Sequence, residues 1–225
     1  MMSFFVKFLP LKKYCIEELV NNVELSLIEP IVIRGIANVL IVDNEVQSGM
    51  PMKESLQKHG FKNVEYYTAL ERITDVEKFD VILCDIQGVG ESLGFKDGFE
   101  LATEIKRLYP SIGIIAFSAN NIGKINKTLI DDVLSKDVRL KNRNERIDAV
   151  AQKVFNPIEA WYIFRNRLLD KKVSIHTIAQ LENLYVKKRI KRESLTEEDV
   201  RKFLNDISIV ATIVGHLIKL SGLGV

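Results

Sequence analysis

Two carboxylates that each end an apolar run are the residues best placed to do chemistry in this sequence. Asp43 ends the run NVLIVD at 38–43, and Asp85 ends the run DVILCD at 80–85. Such runs predict strands buried on both faces of a parallel sheet, and ligands bind at the carboxyl edge of such sheets. Two acids brought together there repel each other, so they need a proton or a hard cation such as Mg²⁺. The pair therefore predicts a small Mg²⁺ site in which one exposed carboxylate can act as a nucleophile.

The elements that must position these acids alternate between strand and helix from residue 38 onward. Strands are expected at 38–43, 64–68, 80–85, 112–117 and 132–135, and helices at 47–59, 69–78, 98–108, 123–131 and 142–155. This alternation predicts right-handed βαβ units and an α/β fold with a five-stranded, parallel, doubly wound sheet. Ser118 then follows the fourth strand and Lys136 the fifth, which adds a hydroxyl and an ammonium to the acidic edge. This set suits phosphoryl transfer to a carboxylate.

Residues 37–155 resemble the receiver domain of bacterial two-component response regulators, which has a flavodoxin-like fold. The resemblance rests on the order and spacing of VLIVDNE at 39–45, GF at 60–61, DVILCD at 80–85, DGFEL at 97–101, IAFSA at 115–119 and LSK at 134–136. It implies five parallel strands with five helices. It also implies that the domain accepts a phosphoryl group, with Mg²⁺, from a histidine kinase or a phosphotransfer protein.

The resemblance assigns a role to each residue at the acidic edge. Asp85 would be the phosphoacceptor, and Asp43, Asp85 and the main-chain carbonyl of Gln87 would hold Mg²⁺. Ser118 would be the switch hydroxyl, and Lys136 would be the ammonium that binds the phosphate.

The sequence departs from the family pattern beside the first acid and after the lysine. Asn44 stands where the family usually has a second acid, and its amide oxygen can bind Mg²⁺ only without charge, so affinity should fall. Glu45 would compensate if it reached inward, so Asn44 and Glu45 are further candidate ligands. Asp137 follows Lys136, where the family often has a cis-proline bond.

The loop at 86–97 is several residues longer than the short turn common in the family. Its glycines, Gly88, Gly90 and Gly94, match neither a dinucleotide-binding fingerprint nor a P-loop. We therefore expect a flexible lid over Asp85.

The flanking segments divide the chain into an N-terminal extension at 1–36, the receiver-like domain at 37–155 and an all-α region at 156–225. The extension should hold one helix at 11–29 that Pro30 ends, then an extended stretch at 31–33 and a turn at Gly35. In the all-α region, helices are expected at 157–171, 174–192 and 196–220.

The last of these helices is apolar nearly all round, and its apolar residues include Val210, Ile213, Val214 and Leu217. Such a helix is buried. Because little chain remains to cover it, it should pack against the N-terminal helix, a second subunit or both, and we expect a homodimer.

The composition gives only weak information about binding partners and cellular location. The net charge of +2 does not predict nucleic acid as a partner, and the basic run at 187–192 is interpreted as solvated charge near a helix end. No stretch reaches 18 uninterrupted apolar residues, so no membrane span is expected. Two cysteines make a disulfide framework improbable, which fits a cytoplasmic location.

Three functional hypotheses remain open at this point. The first is a receiver whose phosphorylation controls the helical region through protein–protein contacts. The second is a degenerate receiver that acts as a phosphorylation-independent dimeric scaffold. The third, ranked lowest, is a DNA-binding regulator. An enzyme is not expected, because hydrolysis of phosphate in trans would need a further positioned base and none is evident.

Overall fold

The central element is a five-stranded parallel sheet with strand order β2-β1-β3-β4-β5. The computed structural model describes residues 14–118, 129–136, 140–204 and 211–223. The strands are β1 Asn38–Val42, β2 Asn63–Tyr67, β3 Val81–Asp85, β4 Gly113–Ser118 and β5 Asp132–Ser135. The α/β fold with a five-stranded, parallel, doubly wound sheet is confirmed.

Each face of the sheet is covered by helices, because the side chains of every strand alternate between two apolar clusters. Val39, Ile41 and Leu83 face one cluster, which contains residues of α4 (Val46–Lys58) and α6 (Leu140–Val154). Leu40 and Ile82 face the other cluster, which contains residues of α5 (Gly98–Leu108). All three helices agree with the predicted ones to within two residues.

The helix predicted at 69–78 is replaced by a short 3₁₀ turn at Ile73–Val76. The apolar residues of this stretch, Leu70, Ile73 and Val76, recur at intervals of three and pack on the second cluster. This spacing suits the three residues per turn of a 3₁₀ helix. The helix predicted at 123–131 lies mostly in residues 119–128, outside the described residues.

The N-terminal segment forms three short helices, so the single helix predicted at 11–29 is wrong. They are α1 Ile16–Val20, α2 Val23–Ser26 and α3 Pro30–Ile36. Pro30 begins α3 instead of ending a helix, because the first helical position needs no N–H. The expected extended stretch at 31–33 and the turn at Gly35 both lie inside α3.

The C-terminal region is helical as expected, with α7 Pro157–Asp170 and α8 Ile175–Ile190, but its last part is not one helix. The helix α9 spans only Glu197–Arg201, a turn follows it, and α10 spans Ala211–Ser221. Residues 205–210, which include Val210, lie outside the described residues. The division of the chain at 36/37 and 155/156 stays a prediction.

The sequence-based argument for a homodimer assumed that too little of the chain remains to cover the last helix, and this assumption is wrong. Ile213, Val214 and Leu217 are 2%, 2% and 0% exposed within the chain itself. The chain covers α10 with α7, and with further contacts from α8 and α9. Sequence patterning showed that this helix must be buried, but the sequence does not show which elements cover it. The oligomeric state stays a prediction that no longer rests on this helix.

The basic run at 187–192 also differs from the expected solvated charge. Arg189 is buried and donates hydrogen bonds to the carbonyls of Leu220, Leu223 and Leu25, so it ties α8 to both chain ends. Lys188 pairs with Asp199. Among the described helices, none is both long and apolar enough to cross a bilayer.

Candidate functional site

Three charged side chains from different strand ends meet at the carboxyl edge of the sheet. Asp43 follows β1, Asp85 ends β3, and Lys136 follows β5. The ammonium Nζ of Lys136 lies 2.8 Å from Oδ2 of Asp85 and 3.3 Å from Oδ2 of Asp43. The more distant carboxylate of Glu45, 3.8 Å from the same ammonium, is largely exposed. The structure therefore brings the predicted acids and the predicted lysine into one cluster.

The two aspartates are buried, with 0% exposure for Asp43 and 2% for Asp85. Burial raises the pKa of Asp85 above its ordinary value, although the Lys136 ammonium opposes this shift. Burial on its own would lower the pKa of Lys136, but the two carboxylates outweigh it and raise that pKa. The ammonium thus compensates two buried negative charges only in part, which leaves the site short of positive charge.

The backbone around Asp85 fixes where its carboxylate lies. The N–H of Ile86 donates to the carbonyl of Phe117 in β4, and the N–H of Gly98 donates to the carbonyl of Ile86. A Cβ at Gly98 would lie 1.8 Å from the main-chain oxygen of Asp85, so only glycine permits this close approach. The first residue of α5 therefore holds the end of β3 in place through these backbone contacts.

Ser118 ends β4 one position beyond Phe117, the register partner of Asp85. The serine is buried, and its carbonyl accepts a hydrogen bond of 2.8 Å from the N–H of Lys136. The predicted switch hydroxyl and the predicted phosphate-binding lysine thus lie next to each other across β4 and β5.

The acids could hold a divalent cation. Oδ1 of Asp43 accepts the N–H of Glu45 at 2.8 Å, and the buried Oδ2 has the Lys136 ammonium 3.3 Å away. Two carboxylates and the nearby carbonyl of Gln87 are oxygen ligands, and Mg²⁺ needs few from the protein because it keeps several waters. No group of three or more His, Cys, Asp and Glu side chains suited to a metal is found in the part of the chain described here. The residues present fit Mg²⁺ with an incomplete set of charged ligands.

Comparison with known proteins assigns this part of the chain. Residues 39–148 match the family model described as the response regulator receiver domain. This segment is a receiver domain. At 26% identity over 163 residues, the chain is also similar to a Bacillus subtilis (strain 168) protein named "Uncharacterized transcriptional regulatory protein YbdJ". That match covers 71% of this chain and 63% of the relative, so the chain spans less than two thirds of the relative's length.

Solved structures of receiver domains resemble about half of this chain. One is the chemotaxis protein CheY4 of Vibrio cholerae, at 21% identity with a TM-score of 0.43, covering 52% of this chain and 99% of that one. Another is a CheY-like response regulator receiver domain protein of Methanospirillum hungatei JF-1, at 20% identity with a TM-score of 0.45, covering 53% of this chain and 97% of that one.

The atypical second position of this receiver domain, Asn44, lies against the loop that follows β3. A Cβ at Gly88 would lie 2.1 Å from Nδ2 of Asn44, and Gly88 has a φ of +72°, a value that strains any other residue. Any side chain larger than glycine at position 88 would therefore clash with Asn44. Asn44, Glu45 and Gln87 are all exposed at the rim of the site.

The long loop of the receiver domain packs against the core, and its role as a flexible lid over Asp85 stays a prediction. Gly90 and Gly94, both in the left-handed region, flank a 3₁₀ turn at Glu91–Leu93. Val89 is 1% exposed, and the Leu93 and Phe95 side chains pack on the second apolar cluster. These apolar contacts anchor the loop beside α5.

Sequence reasoning missed Tyr66 and Gly49 as residues that support the acids. The hydroxyl of Tyr66 in β2 donates 2.7 Å to the main-chain carbonyl of Asp43. Its ring lies against Gly49 of α4, where an added Cβ would meet ring carbon Cε2 at 2.1 Å. A glycine inside a helix is the signal that could have revealed this contact, because it costs helix stability and therefore usually has a packing reason.

Sequence reasoning also missed Arg143, which lies in the helix predicted at 142–155. Arg143 is 9% exposed, and its Nη2 donates 2.7 Å to the main-chain carbonyl of Lys136. The available signal was its spacing: Arg143 shares one helical face with the buried Ile147 and Val150. A charge on the apolar face of a helix indicates a specific partner.

Proposed function

We propose that this protein is a response regulator in which Asp85 accepts a phosphoryl group from a histidine kinase or a phosphotransfer protein. The helical C-terminal region would then carry the phosphorylation state to a partner protein. The observation that carries the proposal is the position of Lys136, whose ammonium contacts Asp85 and Asp43 together at the carboxyl edge of the sheet.

The proposed reaction requires little covalent catalysis by the protein. A carboxylate oxygen of Asp85 would attack the phosphorus of a phosphohistidine, forming an O–P bond while the P–N bond breaks. The electron pair of that bond stays on the imidazole nitrogen, which takes up a proton. Catalysis of such a transfer is mainly positioning and charge stabilisation, and Lys136 is already within contact distance of the attacking carboxylate.

A divalent cation would be held by Asp43, Asp85 and the Gln87 carbonyl. When bound, Mg²⁺ offsets the negative charge of the transferring phosphoryl oxygens. The buried carboxylates of Asp43 and Asp85, which have only the Lys136 ammonium within 3.3 Å to offset their charge among the described residues, support this assignment. Asn44 contributes no charge, so affinity for the ion should be modest.

The helical C-terminal region, which is the proposed output region, is in direct contact with the segment that contains the sheet. Nζ of Lys219 in α10 lies 2.8 and 2.7 Å from the two carboxylate oxygens of Asp80, just before β3. The Nε2 atom of His216 in α10 lies 2.8 Å from the carbonyl of Val154, at the end of α6. These contacts support an output that responds to the receiver domain through α6 and α10.

The test is phosphorylation by a small phosphodonor. Acetyl phosphate with Mg²⁺ should add one hydroxylamine-sensitive phosphoryl group, visible by mass spectrometry and by retardation on a phosphate-affinity gel. Asp85→Asn should abolish the modification, whereas Asp170→Asn, which changes an exposed acid at the end of α7, should leave it unchanged. A modification that persists in Asp85→Asn would move the site elsewhere.

A phosphorylation-independent scaffold is the second candidate, and Asn44 favours it because the site lacks the charge of a second acid. If wild type takes no phosphoryl group from acetyl phosphate and binds no beryllofluoride with Mg²⁺, the scaffold replaces the first proposal. The name of the relative from Bacillus subtilis suggests transcriptional regulation. Direct DNA binding has less support here, because Arg189 and Lys188 of the basic run are engaged within the chain.

A further inference from the structure

A buried arginine of α6 lies against the main chain of the site lysine. Arg143 is 9% exposed, and burial lowers its pKa. Burying a guanidinium is costly, and it is tolerated only where hydrogen bonds or nearby charges satisfy it. Packing alone therefore does not explain an arginine at this position.

The described contacts of Arg143 include Lys136, Phe117 of β4 and Met52 of α4. Nη2 donates 2.7 Å to the Lys136 carbonyl, and Nη1 lies 3.8 Å from Sδ of Met52 in α4. The guanidinium carbon lies 5.3 Å from the centroid of the Phe117 ring, and Nζ of Lys136 lies at the same distance from that centroid. Phe117 thus interacts with both cations.

The effect of these contacts is to fix the base of a flexible side chain. The N–H of Lys136 is held by the Ser118 carbonyl and its C=O by Arg143, so both main-chain polar groups are fixed. A lysine has a flexible four-carbon stem, and the ammonium can be aimed only if that stem starts from a defined point. The Nζ atom reaches Asp85 at 2.8 Å from this fixed base.

We propose that Arg143 is a positioning residue for Lys136, which it holds in the orientation that places the ammonium at Asp85. This inference rests on the proposed function of the site as a phosphoryl acceptor. Arg143 acts through the Lys136 main chain, and none of its described contacts is with a reacting atom, so its removal should matter only while the lysine ammonium is present.

The test is a double-mutant cycle on the rate of phosphorylation by acetyl phosphate with Mg²⁺. We expect Arg143→Met to slow the reaction about tenfold, which corresponds to about 1.4 kcal/mol of lost transition-state stabilisation. Lys136→Met should slow it more. The double variant should be no slower than Lys136→Met, because there is then no ammonium left to position.

A second arginine of α6 provides the matched control. Arg146 pairs with the Asp132 carboxylate and donates 3.0 Å to the Val133 carbonyl, away from Lys136. Arg146→Met should leave the rate unchanged, and thermal unfolding of every variant should show that it is folded. If Arg143→Met does not fold, Arg143→Lys decides, because it keeps the charge but not the planar donor geometry.

Each outcome has a distinct meaning. If the two substitutions slow the reaction by independent factors, Arg143 acts elsewhere and the inference is overturned, while the proposed function stands. If Arg143→Met and Arg146→Met slow it equally, the effect is general damage to α6, which also overturns the inference. If wild type accepts no phosphoryl group at all, the proposed function fails and this role fails with it.

Discussion

Replacing Lys136 with methionine tests the electrostatics of the site most directly. The substitution keeps a side chain of similar length but removes the ammonium that contacts Asp85 at 2.8 Å and Asp43 at 3.3 Å. Two carboxylates would then lie buried beside each other with no cation among their described contacts. Without Mg²⁺, we expect Lys136→Met to be markedly less stable than wild type at neutral pH.

The magnitude follows from the burial of the pair. Removing one partner of a buried ion pair costs about 3–5 kcal/mol, because the other charge is left uncompensated. The Lys136 side chain is 17% exposed, so water relieves a part of the loss and the lower end of that range applies. For a chain of this length, about 3 kcal/mol corresponds to a fall of roughly 6–12 °C in Tm.

The loss of stability should depend on pH with a definite sign. Burial raises the folded pKa of Asp85, so the folded carboxyl binds a proton more readily than the unfolded one, and stability falls as pH rises through that raised pKa. Removing Lys136 raises the pKa further and enlarges this fall. Below the unfolded carboxyl pKa of about 3.9, Asp85 is protonated in both states, so variant and wild type should converge.

Urea unfolding followed by circular dichroism, with EDTA or with Mg²⁺, measures these differences. Mg²⁺ should restore a large part of the lost stability, since the ion replaces the missing positive charge and binds only the folded site. Lys153→Met removes an exposed lysine paired with Asp131 and should cost at most about 1 kcal/mol. A Lys136→Met protein as stable as wild type at pH 7 without Mg²⁺ would refute the reasoning.

Four further substitutions test other parts of the structure. Asn44→Asp should tighten Mg²⁺ binding in a calorimetric titration by about 1–3 kcal/mol, on the scale of charged hydrogen-bonding contacts; an unchanged affinity would mean that the added charge does not reach the ion. Gly49→Ala should weaken Mg²⁺ binding because the new methyl group displaces the Tyr66 ring. Tyr66→Phe removes the hydrogen bond to the Asp43 carbonyl and should weaken Mg²⁺ binding by about 1 kcal/mol. Because both substitutions act through Tyr66, their effects on Mg²⁺ affinity should not add. Burial lowers the pKa of His216, so the free energy of unfolding should fall as pH drops through about 6.5, the pKa of a histidine in the unfolded chain. His216→Gln should remove this part of the pH dependence, as measured by urea unfolding at several pH values.

The strands and the helix α5 could be predicted from the sequence because their local signals agree with their tertiary environment. The apolar runs before Asp43 and Asp85 are long enough for a buried strand and too short for a helix. The helix α5 has Asp97 as its N-cap, whose side chain accepts the N–H of Glu100, so its first residue is fixed locally. The predicted and observed limits of α5 agree.

The ends of the chain could not be predicted as well, because their signals have two meanings. Proline ends a helix when it follows the last turn and begins one when it occupies the first, and Pro30 does the latter. The apolar residues of α10 required burial, but the cover comes from α7, 41 to 64 residues earlier in the chain. No local pattern indicates such a distant partner.

Some residues of the candidate site could likewise be predicted from the sequence, and others could not. Asp43, Asp85 and Lys136 could be placed together because parallel strands end at one edge, so chain order alone fixes their proximity. Tyr66 and Arg143 could not be placed, because each acts through a main-chain carbonyl of another residue. A carbonyl is present at every position and carries no sequence signal, so such support is visible only in three dimensions.

The charge of the site shows how Asn44 could suit a phosphorylated state. Asp43, Asp85 and Lys136 together carry one negative charge more than positive. A phosphoryl group on Asp85 would raise this excess to about two, since such groups carry close to two negative charges near neutral pH. One Mg²⁺ would then neutralise the site in full, whereas an aspartate in place of Asn44 would leave a residual negative charge. The neutral amide therefore weakens ion binding before phosphorylation and balances the charge after it, so phosphorylation should raise the affinity for Mg²⁺.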